Sequence, residues 1–426
     1  MGRYFLVLGI GYCLLISCRS SVVYQWYQPS PEVLEPKDQV LEVISRAVSK
    51  TPDTLTQFFL NVLPPYEIRV QVHVMQDEFG RNNFSEDSGP AIIRSIIADA
   101  NLGLANNQKM WLPKGNETEV WPTGYQYVLV GGEGDTDGIF FHRDKDSLFY
   151  LINRGKFSNL GDERVFKKYG SGGDTILNIF VMANHPDSAR SSTYVRTDNG
   201  IAFSTWVKVV NWYENMRDTV WDGTTFSLPK GSWYCKNLLN HEIGHVLGLR
   251  HAWTYSDGCE DTPTHDNCWN FTVSGPCKEG VSNNVMDYNT YQNAWTPCQI
   301  ERIRRIMTQA NSSVRKLIRP IWYPKDSIYK LVVDDPMTWS LPVDLAGDLI
   351  INSGVILSIN QTVNMPPDGE IQIMPGAQLH LGELGMITHL GASKWKGIKL
   401  MGKKRERGAV VIHPEGKLNN MKVTYD

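Results

Sequence analysis

The sequence predicts an α+β domain built on a twisted mixed sheet, followed by a solenoid-like all-β domain. Two patterns carry this prediction. Between residues 67 and 318, alternating stretches typical of strands are interspersed with apolar stripes at helical spacing. Between residues 319 and 426, helical spacing disappears and short strands bounded by glycine recur about every 22 residues.

Residues 1–18 have the features of an export signal. The apolar run after Arg3 is too short to span a bilayer, because spanning takes roughly 20 residues. It ends at Cys18 in a pattern similar to the lipobox of bacterial lipoproteins, so Cys18 is a candidate lipid anchor that attaches the chain to a membrane. Arg19 follows, and the resemblance then implies an outer-membrane or cell-surface location. An ordinary cleaved signal with an incidental Cys18 is the alternative.

Residues 19–66 are predicted to form a helical leader. Apolar residues at helical spacing favour a first helix, and Pro52 favours the start of a second short helix. The members of the first stripe are Val40, Leu41, Val43, Ile44 and Val48. The leader is either a propeptide or spacer, or a small helical subdomain packed on the domain that follows.

The α+β domain, 67–318, is predicted to open with a strand at 68–76 and a helix capped near Ser88. Further strands are predicted at 125–130, 176–182 and 201–210. Strands that alternate with helices favour a mixed sheet. His73 and His142 lie in strand-like segments, and we expect them to be structural residues rather than metal ligands.

The all-β domain, 319–426, contains a repeated pattern. Segments 354–359 and 376–381 both read Gly-x-x-Leu-x-aliphatic, and each follows a short strand. A period of roughly 20 residues with glycine corners is typical of a β-solenoid, similar to the parallel β-helix modules of bacterial surface proteins. An ordinary β-sandwich is the alternative.

A His-Glu-x-x-His motif extended to a third histidine is the strongest functional signal. His241 and His245 lie four positions apart, so a helix presents both imidazoles on one face, where they can bind one zinc ion. Gly248 can end that helix in a left-handed turn and bring His251 to the metal. Three protein ligands leave one position open for water, as in catalytic zinc sites, and Glu242 is placed to act as the general base.

The zinc motif and a second signature, a Met-turn, resemble the metzincin metallopeptidases and among them the pappalysin-like family. The residues that carry the resemblance are Leu239 to Leu249, Asp261-Thr262-Pro263 and Asn284-Val285-Met286-Asp287-Tyr288. The resemblance covers roughly residues 67–315. It implies a metzincin-type catalytic domain, Zn²⁺ as cofactor and endopeptidase activity on protein or peptide substrates. It also implies that Met286 forms a hydrophobic floor beneath the histidines and that Tyr288 donates its hydroxyl to the oxyanion.

Four cysteines in an exported chain predict two disulfides. They are Cys259, Cys268, Cys277 and Cys298. Three pairings are possible, and the pappalysin-like resemblance implies Cys259–Cys277 and Cys268–Cys298. A structural zinc site is the alternative, although the spacings are wider than those of zinc knuckles. Cys235 is left over and is expected to be a small buried thiol.

Oxygen donors follow the zinc motif. Asp257, Asp261 and Thr262 offer ligands of the kind that Ca²⁺ prefers, and the family resemblance implies bound calcium here. The alternative is that these residues form turns before Pro263.

Substrate preference is expected to depend on the residues just after the Met-turn signature. Asn289, Thr290, Tyr291 and Gln292 are predicted to wall the pocket beside the zinc. The resemblance implies that members which cleave next to Arg or Lys need an acidic residue there, and none occurs from 289 to 293. We therefore expect a preference for neutral or apolar side chains.

The net charge of the chain narrows the range of possible functions. The chain has 42 Lys and Arg against 45 Asp and Glu, so it lacks the basic surplus of a nucleic-acid-binding protein.

The favoured function is an exported, lipid-anchored zinc endopeptidase of the bacterial cell envelope. One alternative is a surface module that binds glycan or protein, and the intact Glu242 argues against it. Another is a zinc hydrolase that acts on a non-peptide bond, and the Met-turn signature argues against that function.

Overall fold

The computed structural model describes most of the chain from residue 40 onward. The described residues are 40–45, 52–132, 137–150, 163–184, 199–217, 220–221, 226–227, 231–253, 257–321, 328–403 and 406–422. The predicted signal 1–18, with Cys18, lies outside these ranges. Within them, no helix combines the length and the apolar character that crossing a membrane requires.

The secondary structure divides into a part with helices and a part made of short strands. The helices are α1 (Pro52–Val62), α2 (Gly89–Ala105), α3 (Arg164–Tyr169), α4 (Trp212–Arg217), α5 (Ser232–Val246), α6 (Pro276–Glu279) and α7 (Pro297–Thr308), with a 3-10 helix at Val314–Leu317. The strands up to the end of the α+β domain are β1 (Val40–Ser45), β2 (Tyr66–Gln76), β3 (Tyr125–Leu129), β4 (Ile139–Arg143), β5 (Phe149–Tyr150), β6 (Leu177–Asn184), β7 (Gly200–Phe203), β8 (Trp206–Val210), β9 (Val220–Trp221), β10 (Phe226–Ser227) and β11 (Ile318–Arg319). The remaining strands are β12 (Ile328–Val333), β13 (Met337–Trp339), β14 (Val343–Asp344), β15 (Asp348–Ile351), β16 (Ile356–Ile359), β17 (Thr362–Asn364), β18 (Glu370–Ile373), β19 (Gln378–Leu381), β20 (Met386–Thr388), β21 (Gly397–Leu400), β22 (Ala409–Ile412) and β23 (Lys417–Leu418).

A mixed sheet forms the centre of the α+β domain. Its main strand order is β11-β2-β6-β8-β7, while β3 and β4 pair with β2 and β5 pairs with β6. The pairings of β2 with β3, β4 and β6, and of β6 with β8, are parallel. Strand β7 is antiparallel to β8 and is the last strand of this order among the described residues.

The sheet buries apolar residues on both of its faces. Val70 and Val72 of β2 belong to the main core together with Ile93 of α2. Met75 lies on the alternate face of β2 and packs with Phe180 in a second, smaller core. Because neighbouring strand residues point to opposite faces, the burial of successive β2 residues on both faces fits a sheet that is covered on both sides.

His73 and His142 have protein partners in this sheet. His73 Nδ1 lies 2.9 Å from His142 Nε2, and His73 Nε2 lies 2.8 Å from the Asn178 Oδ1. Burial is the main cause that lowers the pKa of each histidine to about 4, so both rings are neutral at pH 7. The arrangement fits the structural role that the sequence predicts.

The strand predicted at 201–210 is a hairpin of two strands. Strands β7 and β8 pair antiparallel, and Ser204 turns the chain with a positive φ of 40°. A left-handed conformation outside glycine is uncommon and is typical of tight turns. The sequence gives little warning of this turn, because no glycine marks it.

The first helix predicted in the leader is wrong. Residues 40–45 form β1, which pairs in parallel with β12 from Val40 opposite Ile328 to Ser45 opposite Val333. Valine and isoleucine favour strands, and pairing with a strand far along the chain outweighs the helical spacing of the stripe. The second predicted helix is confirmed as α1.

Three parallel sheets build the all-β domain. Their orders are β1-β12-β15-β18-β21, β13-β16-β19-β22 and β14-β17-β20-β23. The chain visits the three sheets in turn, so aliphatic residues stack on their equivalents: Leu349 lies opposite Ile371, and Ile371 opposite Ile398. Parallel pairing distinguishes these sheets from an antiparallel β-sandwich and is compatible with the predicted solenoid.

Side chains near both ends of the α+β domain contact the all-β domain. Phe59 of α1 lies in the same core cluster as Trp339, and their ring centres are 5.4 Å apart. Arg315 of the 3-10 helix forms a largely buried ion pair with Asp344 of β14. Residues 52–62 therefore pack as part of the all-β core, although the leader boundary at residue 66 stays a prediction.

Candidate active site

Helix α5 carries two of the three predicted metal ligands. Its residues from Cys235 to Gly244 are buried, and the helix ends at Val246. Gly248 then has a positive φ of 83°, and a Cβ at this position would lie 2.4 Å from Ile306 Cδ1. Both the conformation and the lack of space require glycine, and the turn brings the following chain back towards the helix.

The three histidines of the motif converge. His241 Nε2 lies 3.3 Å from His251 Nε2, and His245 Nε2 lies 3.1 Å from the same atom. Two nitrogens that are each about 2.0–2.1 Å from one tetrahedral metal ion would be about 3.3 Å apart. The described part of the chain therefore contains a three-histidine cluster with the dimensions of a zinc site.

The Nδ1 atoms of the two helical histidines fix the tautomers of their rings. His241 Nδ1 donates to the Val285 carbonyl at 2.8 Å, and His245 Nδ1 donates to the Leu249 carbonyl at 3.0 Å. Because a carbonyl can only accept, each Nδ1 carries the proton and each Nε2 keeps a lone pair. Burial is the main cause that lowers the pKa of His241 to about 3 and that of His251 to about 4. The rings are therefore neutral near pH 7, which is the form that binds a metal.

Glu242 lines the same cavity as His241 and is 5% exposed. Burial raises the pKa of its carboxyl group to about 8. A carboxyl group in this environment can hold a proton near neutral pH and release it again. The edge strand β7 comes very close to this side chain, since a Cβ on Gly200 would lie 2.6 Å from Glu242 Oε1.

Met286 packs against the zinc-motif helix and is fully buried. A Cβ on Gly244 would lie 2.4 Å from Met286 Sδ, so the glycine between the two helical histidines gives the methionine its space. Asn284 fixes the turn by accepting a hydrogen bond from the Met286 amide at 2.9 Å. The Asn284 and Gln299 amides also exchange hydrogen bonds of 2.9 and 3.0 Å, which hold the turn to helix α7.

Tyr288 stands beside the histidines. Its ring centre lies 5.1 Å from that of His251 and 5.6 Å from that of His241, and the residue is 48% exposed. Partial burial and the negative charge of Glu242 raise the pKa of its hydroxyl. The hydroxyl is therefore protonated near neutral pH and available as a hydrogen-bond donor.

Sequence reasoning missed two residues next to this site. Trp253 stacks on His251 with ring centres 4.1 Å apart. Asp287 is buried and accepts hydrogen bonds from the Ser282 hydroxyl and, at 2.9 Å, from His265 Nε2. Burial alone would lower the pKa of His265, but the bond to Asp287 raises it on balance. Asp287 directly follows Met286 and thus ties the Met-turn to the loop that follows the zinc motif. In the sequence, only its place in the Met-turn signature hinted at such a role.

A cavity of about 340 Å³ opens beside the histidines. It is lined by Asn199, Gly200, Tyr234, Asn237, Leu238, His241, Glu242, Trp269, Tyr288, Asn289, Thr290 and Gln292. These described lining residues include no Lys, Arg or Asp, and Glu242 supplies their acidic group. Of the four predicted wall residues, Asn289, Thr290 and Gln292 line this cavity. Tyr291 turns away, because its ring packs 4.5 Å from that of Trp111 and its hydroxyl donates to Asn270 at 3.1 Å.

The structure pairs the four predicted disulfide cysteines differently from the family-based expectation. The bonds are Cys259–Cys298 and Cys268–Cys277, so the expected pairs Cys259–Cys277 and Cys268–Cys298 are wrong. Asp261 explains the difference: its carboxylate accepts the Cys298 amide at 2.9 Å and holds the start of α7 against the Cys259 loop. The other two cysteines close a short loop of their own. The remaining described cysteine, Cys235, is buried and unbridged, as expected.

The predicted calcium donors have protein partners. Asp257 accepts hydrogen bonds from the Thr262 hydroxyl and from the Cys259 amide at 2.9 Å. Asp261 accepts the Thr296 hydroxyl at 2.7 Å as well as the Cys298 amide. These bonds are those of turn-forming and helix-capping side chains, which is the alternative that the sequence leaves open.

Comparisons with known proteins match the segment that carries this site. The model of the peptidase family M43, described as pregnancy-associated plasma protein-A, matches residues 212–308. No curated protein matches the chain. A structure of mirolysin in complex with compound 9 is 20% identical with a TM-score of 0.40, and the match covers 61% of this chain and 97% of that one. Mature mirolysin from Tannerella forsythia in complex with a cleaved peptide is 21% identical with a TM-score of 0.40. This match covers 60% of this chain and 97% of that one.

The family match contains the residues that surround the candidate metal site. It begins at helix α4 and ends with helix α7, and so includes the three histidines, Glu242, Met286 and Tyr288. Residues 212–308 are thus similar to the peptidase family M43, in agreement with the pappalysin-like resemblance of the sequence.

Proposed function

We propose that the chain is an exported, lipid-anchored, zinc-dependent endopeptidase that hydrolyses proteins or peptides. The observation that carries the choice of zinc is the convergence of three neutral imidazole Nε2 atoms at 3.1 and 3.3 Å. Imidazole ligands in this number suit a catalytic zinc ion, which keeps one position open. Calcium has no such support, because the oxygens of Asp257 and Asp261 already accept hydrogen bonds from protein donors.

The residues of the site divide the chemistry between them. A zinc ion held by the three histidines would supply a Lewis acid that acidifies water and polarises the scissile carbonyl. Glu242 takes the proton of the attacking water and passes it to the leaving amine. Its raised pKa supports this role, since a carboxyl group must hold the proton between the two transfers. Tyr288 donates its hydroxyl to the carbonyl oxygen as negative charge develops on it.

Gly200→Ala is expected to displace the Glu242 carboxylate, because the new Cβ would overlap Oε1. A misplacement of about 1 Å can lower the rate about 100-fold, so we expect kcat to fall by about 10-fold to about 100-fold. Zinc content should not change. Gly132→Ala is the matched control, since nothing lies within 4 Å of its added Cβ. Equal rates for the two variants would mean that the approach of β7 does not position Glu242.

The cavity beside the histidines is proposed to accept a neutral or apolar side chain of the substrate. Leu238, Tyr234 and Trp269 give it apolar surface, and Glu242 is held for proton transfer. Cleavage of a peptide library by the full chain should therefore occur at internal bonds next to neutral or apolar residues. A strong preference for Arg or Lys beside the cleaved bond would contradict this assignment, and cleavage only at chain ends would contradict endopeptidase activity.

Cys18 is proposed to carry the lipid that holds the protein in the cell envelope, at the outer membrane or the cell surface. Support comes from the lipobox-like sequence that ends at Cys18. We expect a bacterium that expresses the full chain to incorporate labelled palmitate into the wild type and not into Cys18→Ser. The serine variant should also leave the membrane fraction. Equal labelling of both proteins would refute the anchor.

A further inference from the structure

Four aromatic side chains form a strip that begins in the cavity and continues beyond it. They are Trp111, Trp269, Phe271 and Tyr291, here termed the aromatic strip. Trp269 lines the cavity. Outside it, the ring centre of Tyr291 lies 4.5 Å from that of Trp111 and 6.4 Å from that of Phe271. The ring centres of Trp111 and Phe271 are 6.2 Å apart. Asn270 joins the two parts, since it lies between Trp269 and Phe271 and accepts the Tyr291 hydroxyl.

The strip is exposed although it is apolar. Trp269 is 55% exposed, Phe271 52% and Trp111 38%. Single exposed apolar residues are normal, whereas a cluster of exposed aromatic rings such as that of Trp111, Phe271 and Tyr291 is typical of an interaction site. Aromatic rings suit this purpose because they bury a large apolar area with little loss of conformational freedom.

The loop that carries half of the strip is fixed in place beside the cavity. The Cys268–Cys277 disulfide closes this loop, and the Trp269 carbonyl accepts the Thr290 amide at 3.1 Å. Thr290 itself lines the cavity. A polypeptide that leaves the cavity past Thr290 would therefore pass directly onto the strip.

We propose that the aromatic strip binds an aromatic or large aliphatic side chain of the substrate polypeptide, a few residues away from the scissile bond. The inference rests on the proposed endopeptidase function and adds a second recognition site to it. Continuity with the cavity favours a peptide as the occupant. The orientation of the rings also favours it: the planes of Trp111, Phe271 and Tyr291 are inclined by 32° to 64°, so they offer no single flat face for a sugar ring.

Fluorogenic peptides that share one scissile core test this proposal. The short peptide fills the cavity alone, and longer peptides carry Phe or Ser at successive positions on either side. For the wild type, one Phe extension should raise kcat/KM about tenfold over its Ser counterpart, as expected for burying an aromatic side chain. Phe271→Ala and Trp111→Ala should bring this ratio close to one, while cleavage of the short peptide stays within about twofold because the cavity is intact.

Phe79→Ala is the matched control. Phe79 is an exposed aromatic residue, at 66%, that packs with Arg81 rather than with the strip. This variant should keep the tenfold ratio. Thermal unfolding and zinc content of every variant show whether it is folded, and Phe271→Ser provides a second truncation if Trp111→Ala fails that check.

The outcomes separate the two proposals. If the wild type cleaves the short peptide but shows equal kcat/KM for Phe and Ser extensions at every position, the strip proposal alone is overturned. If no peptide is cleaved, the endopeptidase function fails, and the strip proposal falls with it. Loss of glycan binding in Phe271→Ala, with an unchanged peptide ratio, would assign the strip to carbohydrate and would also overturn the proposal.

Discussion

Glu242→Gln is expected to lower kcat for peptide hydrolysis by about 10³-fold while zinc stays bound. The amide keeps the size of the buried side chain but cannot take a proton from water, and general acid–base catalysis contributes about 10²–10⁴-fold. Zinc should remain equimolar with the chain, because the ligands are the three histidines and not Glu242. Initial rates at saturating peptide, together with metal analysis of the same samples, measure both quantities.

The control for this substitution is Glu279→Gln. Glu279 belongs to the short helix α6, and its side chain is 78% exposed. Its replacement should leave both rate and zinc content unchanged. If Glu242→Gln kept more than a tenth of the wild-type kcat with full zinc occupancy, another group would have to transfer the proton.

His251→Ala is expected to remove both zinc and activity. His251 Nε2 is the atom that both helical histidines approach, at 3.1 and 3.3 Å, so its loss leaves two ligands where three converge. Loss of a residue that merely supports a metal ligand weakens affinity by about 10–100-fold, and loss of a ligand should weaken it by more than about 100-fold. Competition with a zinc chelator of known affinity measures the change.

His413→Ala is the matched histidine control, because His413 is exposed in the all-β domain. It should bind zinc as tightly as the wild type. Wild-type zinc affinity in His251→Ala would show that the third ligand comes from elsewhere. Since His251 stacks on Trp253, thermal unfolding of the metal-free proteins would show whether the substitution has also disturbed the fold.

The sequence predicts the histidine cluster well because its geometry is local. Two ligands share a helix face, and Gly248 supplies the only sharp turn needed to reach His251. The solenoid-like repeat is predictable for the same reason, since each strand repeats the pattern of the strand stacked against it. The Met-turn is identified from family resemblance, whereas its contact with Gly244 is seen only in three dimensions.

Features that depend on distant parts of the chain were not predictable. Strand β1 has the spacing of a helix, and only its partner β12 makes it a strand. The disulfide pairing follows from the bond between Asp261 and the start of α7, which no spacing of cysteines encodes. The approach of Gly200 to Glu242 likewise depends on how the hairpin β7–β8 lies against α5, and its sequence gives no sign of it.

Gelatin hydrolysis by the purified full chain decides whether the protein is a zinc endopeptidase. One sample is measured as purified, after a chelator has removed its metal, and after zinc has been added back. A zinc endopeptidase should cleave internal bonds, lose this activity with the metal, and recover it when equimolar zinc is restored. Undiminished cleavage in the sample shown to be free of zinc would contradict a zinc endopeptidase, and so would a zinc-loaded protein that cleaves no internal bond.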